Sequence, residues 1–133
     1  MWYSTVRDFI TLALVLLAVP LTSDAQQPRP IPWIVYLSLS PTPLADRHEG
    51  FVQGLRELGY VEDHNILLEH WGSGGNVDRL RENAAEVVRR GVQVIVTQGS
   101  VATRAATEMT RTIPIVMSGD SDPVGDGFVA SLG

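Results

Sequence analysis

The sequence predicts an α/β protein, an open parallel sheet with helices on both faces built from four β-α units. Residues 92–97, Val-Gln-Val-Ile-Val-Thr, hold five apolar or β-branched residues out of six, the pattern of a short strand buried on both faces. Strand-like runs alternate with helical patterns four times along the chain. The connections are short, and this alternation implies parallel strands with right-handed crossovers.

The elements follow in order. Residues 33–40 form the first strand, and Pro41-Thr42-Pro43 follows as a loop that cannot be helical throughout. The first helix is expected over residues 44–58, with Phe51, Leu55 and Leu58 as its buried stripe, His48 on its exposed face and Gly59 as its stop. Residues 65–71 are the second strand. Gly72-Ser73-Gly74-Gly75-Asn76 then leads into a helix over residues 77–90. Leu80, Ala84, Val87 and Val88 face the sheet there, while Arg79, Arg81, Glu82, Glu86 and Arg89 face water. Gly91 ends that helix, and Arg89-Arg90 complements its dipole.

The third strand, residues 92–97, stops at Gln98-Gly99-Ser100. Ser100 is the expected N-cap of a helix reaching about residue 110, and Gly99 permits a tight turn or a close approach to a ligand. Ala102, Ala105, Ala106 and Met109 are its inward residues. Residues 113–117 are the fourth strand. After a polar loop, Asp122 is the expected N-cap and Pro123 the first position of a fourth helix, residues 124–132, weakened by Gly125 and Gly127. No strand follows, so the chain is expected to be a truncated form of a longer architecture.

The first 25 residues read as a targeting segment. Arg7 gives a weakly positive start, residues 9–21 form an apolar run of thirteen, and Ser23-Asp24-Ala25 places small residues at the two positions a signal peptidase reads. A membrane-spanning helix needs roughly 20 apolar residues, which this run does not reach. Cleavage after Ala25 and a periplasmic location are therefore expected. Residues 26–32 are a proline-rich linker, and residues 33–133 the single domain.

Composition narrows the function. The net charge is −5, all ten basic residues are arginine, and none clusters beyond a pair, so no nucleic-acid partner is expected. Without cysteine the chain has no disulfide, thiolate metal site or lipid-bearing cysteine. His48, His64 and His70 show no metal spacing, and neither metal nor cofactor is expected. The glycines at 72, 74 and 75 fail the dinucleotide pattern, which would need glycine where Val77 stands, and they read as a flexible loop. Asp120, Asp122 and Asp126 lack calcium-loop spacing.

What remains is geometric. Ser38–Ser40, Gly72–Asn76, Gln98–Ser100 and Gly119–Pro123 all follow parallel strands, so all four loops fall on one sheet edge. A rim of hydroxyls, amides, helix N-termini and carboxylates suits a small zwitterionic ligand. The N-terminus of the third helix, with Ser100, would take a carboxylate, and Asp120 or Asp122 an ammonium group.

Several stretches together resemble one family. They are Arg7-Asp-Phe-Ile-Thr-Leu with Ala25-Gln-Gln, residues 51–61 (Phe-Val-Gln-Gly-Leu-Arg-Glu-Leu-Gly-Tyr-Val), 87–96 and 113–116, and Asp122-Pro-Val. The sequence is similar to the substrate-binding proteins of ABC transporters that serve amino-acid-like solutes. The resemblance implies a type I periplasmic-binding-protein fold with two lobes and a ligand in the cleft between them. This chain would supply most of the first lobe, with no enzymatic activity and an ABC permease as partner. It also implies a ligand role for Ser38 and Ser40, for Gln98, Gly99 and Ser100, and for Asp122 and Pro123. The short Pro41–Pro43 loop and Gln98-Gly-Ser depart from the family's usual pattern. Two other readings stand beside it. One is a small α/β enzyme, a hydrolase or nucleotide-dependent protein using Asp120 or Asp122. The other is a sensory binding module, which would need a second membrane segment or a signalling domain.

Overall fold

The computed structural model describes residues 30–120 and 122–130. The expected signal segment lies outside the described residues. Four strands, β1 (Trp33–Ser38), β2 (Leu67–Gly72), β3 (Val94–Gln98) and β4 (Ile115–Ser118), form one sheet in the order β2-β1-β3-β4. Every pairing is parallel. Three helices connect them: α1 (Ala45–Glu57), α2 (Val77–Arg90) and α3 (Ser100–Met109).

Strand alternation sends β1 to both faces of the sheet. Val35 and Leu37, with Ile95 of β3, pack against Leu80, Ala84 and Val87 of α2 and Ala102, Ala105 and Ala106 of α3. Ile34 and Tyr36, with Leu68 and Val96, pack on the opposite face against Phe51, Val52 and Leu55 of α1. Helices therefore cover both faces. Small alanines on α3 allow close approach, which suits a helix lying over a central strand.

Local signals place α2 at its expected limits. The Asn76 side chain accepts from the Arg79 backbone N–H at 2.9 Å, and Gly91 closes the helix in the left-handed conformation. Glu86 bonds both Arg89 and Arg90 there, and the two guanidinium groups hold its carboxyl down at about 2.

Several expectations change. The expected first strand stops at Ser38 instead of residue 40, and the other three begin two residues late, β4 just after Pro114, which has no N–H for the ladder. Leu58 is 76% exposed because the helix has already ended at its C-cap, and Val52 takes its place in the stripe. His48 is half-buried, its ring set edge-on to Tyr36 at 5.9 Å. Met109 is exposed, and the inward polar position on α3 is Thr103. Ser100 is not the N-cap. Gly99 holds that position at φ 81°, and Ser100 is the first helical residue. The expected fourth helix is a run of turns over residues 123–127. Asp122 accepts from the Gly125 N–H at 2.8 Å, but Gly127 at φ 75° breaks the helical path.

Candidate functional site

Parallel register lines up the four strand ends. Ser38 pairs with Gly72 on one side and Gln98 on the other, and Gln98 pairs with Ser118. The chain goes from β1 outward to β2, then returns across β1 to β3, so the strand order switches between β1 and β3. Open α/β sheets bind ligands outside the carboxyl ends of their strands at such a switch.

The β1 and β2 ends lock together. Ser38 is 0% exposed. Its hydroxyl donates to the Ser40 carbonyl at 2.9 Å and lies 2.9 Å from His70 Nε2. With that proton committed, Ser38 accepts from the His70 Nε2–H. Burial, with His48 nearby, holds His70 below its ordinary 6.5 and keeps it neutral. Residues 72–76 are not a flexible loop. Ser73 N–H bonds the Ser38 carbonyl at 3.1 Å, and Gly75 N–H bonds that of Leu39 at 2.7 Å. A Cβ on Gly72 would collide with the Ser40 carbonyl oxygen and stand 2.8 Å from that of Pro41. Ser38 and Ser40 thus brace a wall, and the Ser38 hydroxyl is spent internally.

The β3 and β4 ends are different. Nothing lies within 4 Å of the position a Gly99 Cβ would take. Among the described residues no side chain caps α3, so its first N–H groups stand without a side-chain partner there, beside the half-buried Ser100. The Asp120 carboxylate accepts from Thr103 Oγ1 at 2.7 Å, and Thr103 in turn lies 2.7 Å from Thr97 Oγ1. Thr103 Oγ1 also lies 3.3 Å from the Gly99 carbonyl. Its single proton goes to the shorter, charged acceptor, and Thr97 donates to it. The second Asp120 oxygen is buried with no partner among the described residues, and so is Gln98 Oε1. Buried acceptors left unpaired are costly, and a ligand donor would relieve both.

Thr103 therefore joins Gly99 and Asp120. Asp122 instead caps its own turn, and the Pro123 carbonyl accepts from the Phe128 N–H at 2.9 Å. Thr97 and Thr103 were invisible to sequence reasoning, because a threonine pair six residues apart matches no motif. Two surface cavities lie elsewhere. One of about 410 Å³ is bordered by His48, Gln53 and Arg56, and one of about 250 Å³ by Arg104, Arg111 and Phe128. Neither is lined by the rim residues. Among the described residues no group of three metal-ligating side chains occurs, and no helix is long and apolar enough to cross a membrane.

The sequence and the fold are similar to those of known proteins. A curated relative, the tyrosine-binding protein of Clostridioides difficile, is 29% identical over 84 residues, which cover 63% of this chain and 24% of that protein. Two solved structures superpose with a TM-score of 0.71 over 77% of this chain and 35% of theirs. One is a conserved domain protein from Vibrio cholerae at 27% identity. The other is the ligand-free, open structure of a substrate-binding protein with adhesive properties from Clostridium difficile, at 25%. The chain thus spans about a third of the solved structures and a quarter of the curated relative. Residues 35–133 match the ABC transporter substrate binding protein family, and the chain belongs to that family.

Proposed function

We propose that this chain forms one wall of a site that binds an α-amino acid outside the cytoplasm and presents it to an ABC permease for import. A second lobe would close the cleft over the ligand. The observation that carries this reading is the Asp120 carboxylate, fixed by Thr103 through one oxygen and left unpaired at the other, beside the uncapped start of α3. The carboxylate would accept from an ammonium group. The α3 N–H groups and the Ser100 hydroxyl would donate to a carboxylate, which the helix dipole also favours. Likeness to a tyrosine-binding protein supports an aromatic amino acid, and the apolar run ahead of Ala25 supports export.

Binding without catalysis fits the chemistry at the rim. Among the described residues Ser38 and His70 are a serine–histidine pair in contact, but the Ser38 proton goes to the Ser40 carbonyl and Ser38 is buried. Calorimetric titration of the full chain with L-tyrosine, L-tryptophan, L-leucine and glucose tests the reading. Saturable binding of the aromatic amino acids is expected. Binding of none of the amino acids contradicts it.

A further inference from the structure

Arg47 takes no part in the sequence-level reading, yet it reaches the rim. The loop after β1 delivers the chain to the start of α1, so the first turn of α1 stands at the carboxyl edge of the sheet. From there the Arg47 side chain lies over Gly119, the residue after β4. A Cβ on Gly119 would fall on Arg47 Nη1 and stand 2.7 Å from Cζ. Gly119 itself sits at φ 82°, where a side chain is strained in any case. Arg47 is exposed, and it forms none of the ion pairs found among the described residues. A cation in the first turn of a helix opposes the helix dipole, so α1 gains nothing from it there.

Its neighbour across the turn is Asp120. The two opposite charges flank one glycine and do not pair with each other, because Asp120 is turned to Thr103 on α3. Arg47 comes from α1 and Asp120 is held by α3, and the two helices cover opposite faces of the sheet. Successive Cα atoms are about 3.8 Å apart. An amino acid carries its two charges on one carbon and adds a charge-assisted hydrogen bond of about 2.8 Å at each end. Such a molecule could bridge two opposite charges that form no ion pair with each other.

We infer that Arg47 is a specificity-determining residue, the charged anchor of the ligand carboxylate, with the carboxylate held between its guanidinium and the start of α3 while Asp120 takes the ammonium group. This rests on the amino-acid reading above. The Gly99 N–H donates to the Ser118 carbonyl at 3.4 Å, so the start of α3 and Arg47 both border Ser118-Gly119 and can share one carboxylate. A helix N-terminus alone carries about half a charge and also accepts neutral acceptors. A guanidinium adds a full positive charge, which favours a carboxylate over the neutral group of an amino-acid amide.

The test compares L-tyrosine with L-tyrosinamide, which keeps the ammonium group and side chain but not the carboxylate. Titration of the full wild-type chain should favour tyrosine. Arg47→Gln should weaken tyrosine about tenfold or more, the loss expected for a hydrogen bond to a charged group, and leave tyrosinamide within about twofold. Arg47→Lys should restore part of the preference. A variant that binds tyrosine like wild type, or loses both ligands equally, overturns the assignment, the second result marking Arg47 as a support for the Gly119 turn. A wild-type chain that binds tyrosine and tyrosinamide alike overturns it too. If wild type binds neither, the amino-acid reading fails and Arg47 falls with it.

Discussion

Thr103 donates its hydroxyl to Asp120 across 2.7 Å, from a side chain that is 0% exposed. That bond ties the first turn of α3 to the loop after β4, two elements 17 residues apart in sequence. Thr97, at the end of β3, completes the chain of hydroxyls. The rim therefore rests on β3 and α3, which hold these threonines, and its anion has a fixed direction before any ligand arrives.

Replacing Thr103 with valine keeps the shape and removes the hydroxyl. The Asp120 carboxylate and Thr97 then lose a partner in a part-buried site, and Thr103→Val should cost about 1–3 kcal/mol in urea denaturation. Thr103→Ser should lose markedly less. Equal stability for wild type and Thr103→Val would show that the hydroxyl chain is not a structural tie.

Glycine at 72 is required by contact. A methyl group there meets backbone carbonyls of residues 40 and 41, which cannot swing aside as a side chain would. Gly72→Ala should destabilise by about 1–3 kcal/mol, the usual cost of overpacking. Gly54, inside α1 with nothing within 4 Å of its Cβ position, is the control. Gly54→Ala should stabilise by about 0.5–1 kcal/mol, since alanine loses less backbone freedom in a helix. The same denaturation series reads both, and the two changes should have opposite signs.

Stability should fall on mild acidification. His70 is held below 6.5 in the folded chain, whereas the unfolded chain takes up its proton near 6.5. The unfolded state thus binds more protons as pH drops through and below that value, which favours unfolding. Glu86 acts in a separate, lower window, since its contribution is present above about 4.5 and is lost as pH falls toward 2. Thermal unfolding between pH 7.5 and 5 should show the loss, and His70→Gln, which keeps a donor for Ser38, should flatten it. An unchanged slope in His70→Gln would assign the effect to other groups.

Legibility from sequence followed the range of the interactions. The limits of α2 could be read because Asn76 and Gly91 act on neighbours within one turn. The parallel order could be read because buried strands and amphipathic helices alternate. The contacts of Ser38 could not be read, because its hydroxyl meets His70, 32 residues away, and the local pattern shows only a hydroxyl at a strand end. Ser100 looked like a cap by residue type, yet Gly99 holds that position with a backbone that serine adopts only under strain. The sequence left the ammonium partner open between Asp120 and Asp122, although it marked Asp122 as a cap. One is held by a buried threonine and the other caps its own turn, and that difference depends on where α3 packs.

On the proposed function, an amino acid binds at the ends of β3 and β4. Amide chemical shifts of the full chain, recorded while L-tyrosine is added, test it most directly. Saturable shifts centred on Gln98, Gly99, Ser100 and Asp120 are expected, with little change around Arg104 and Arg111 or around Gln53 and Arg56, which border the two surface cavities. Shifts confined to either cavity, or no saturable shifts with any amino acid, would contradict it.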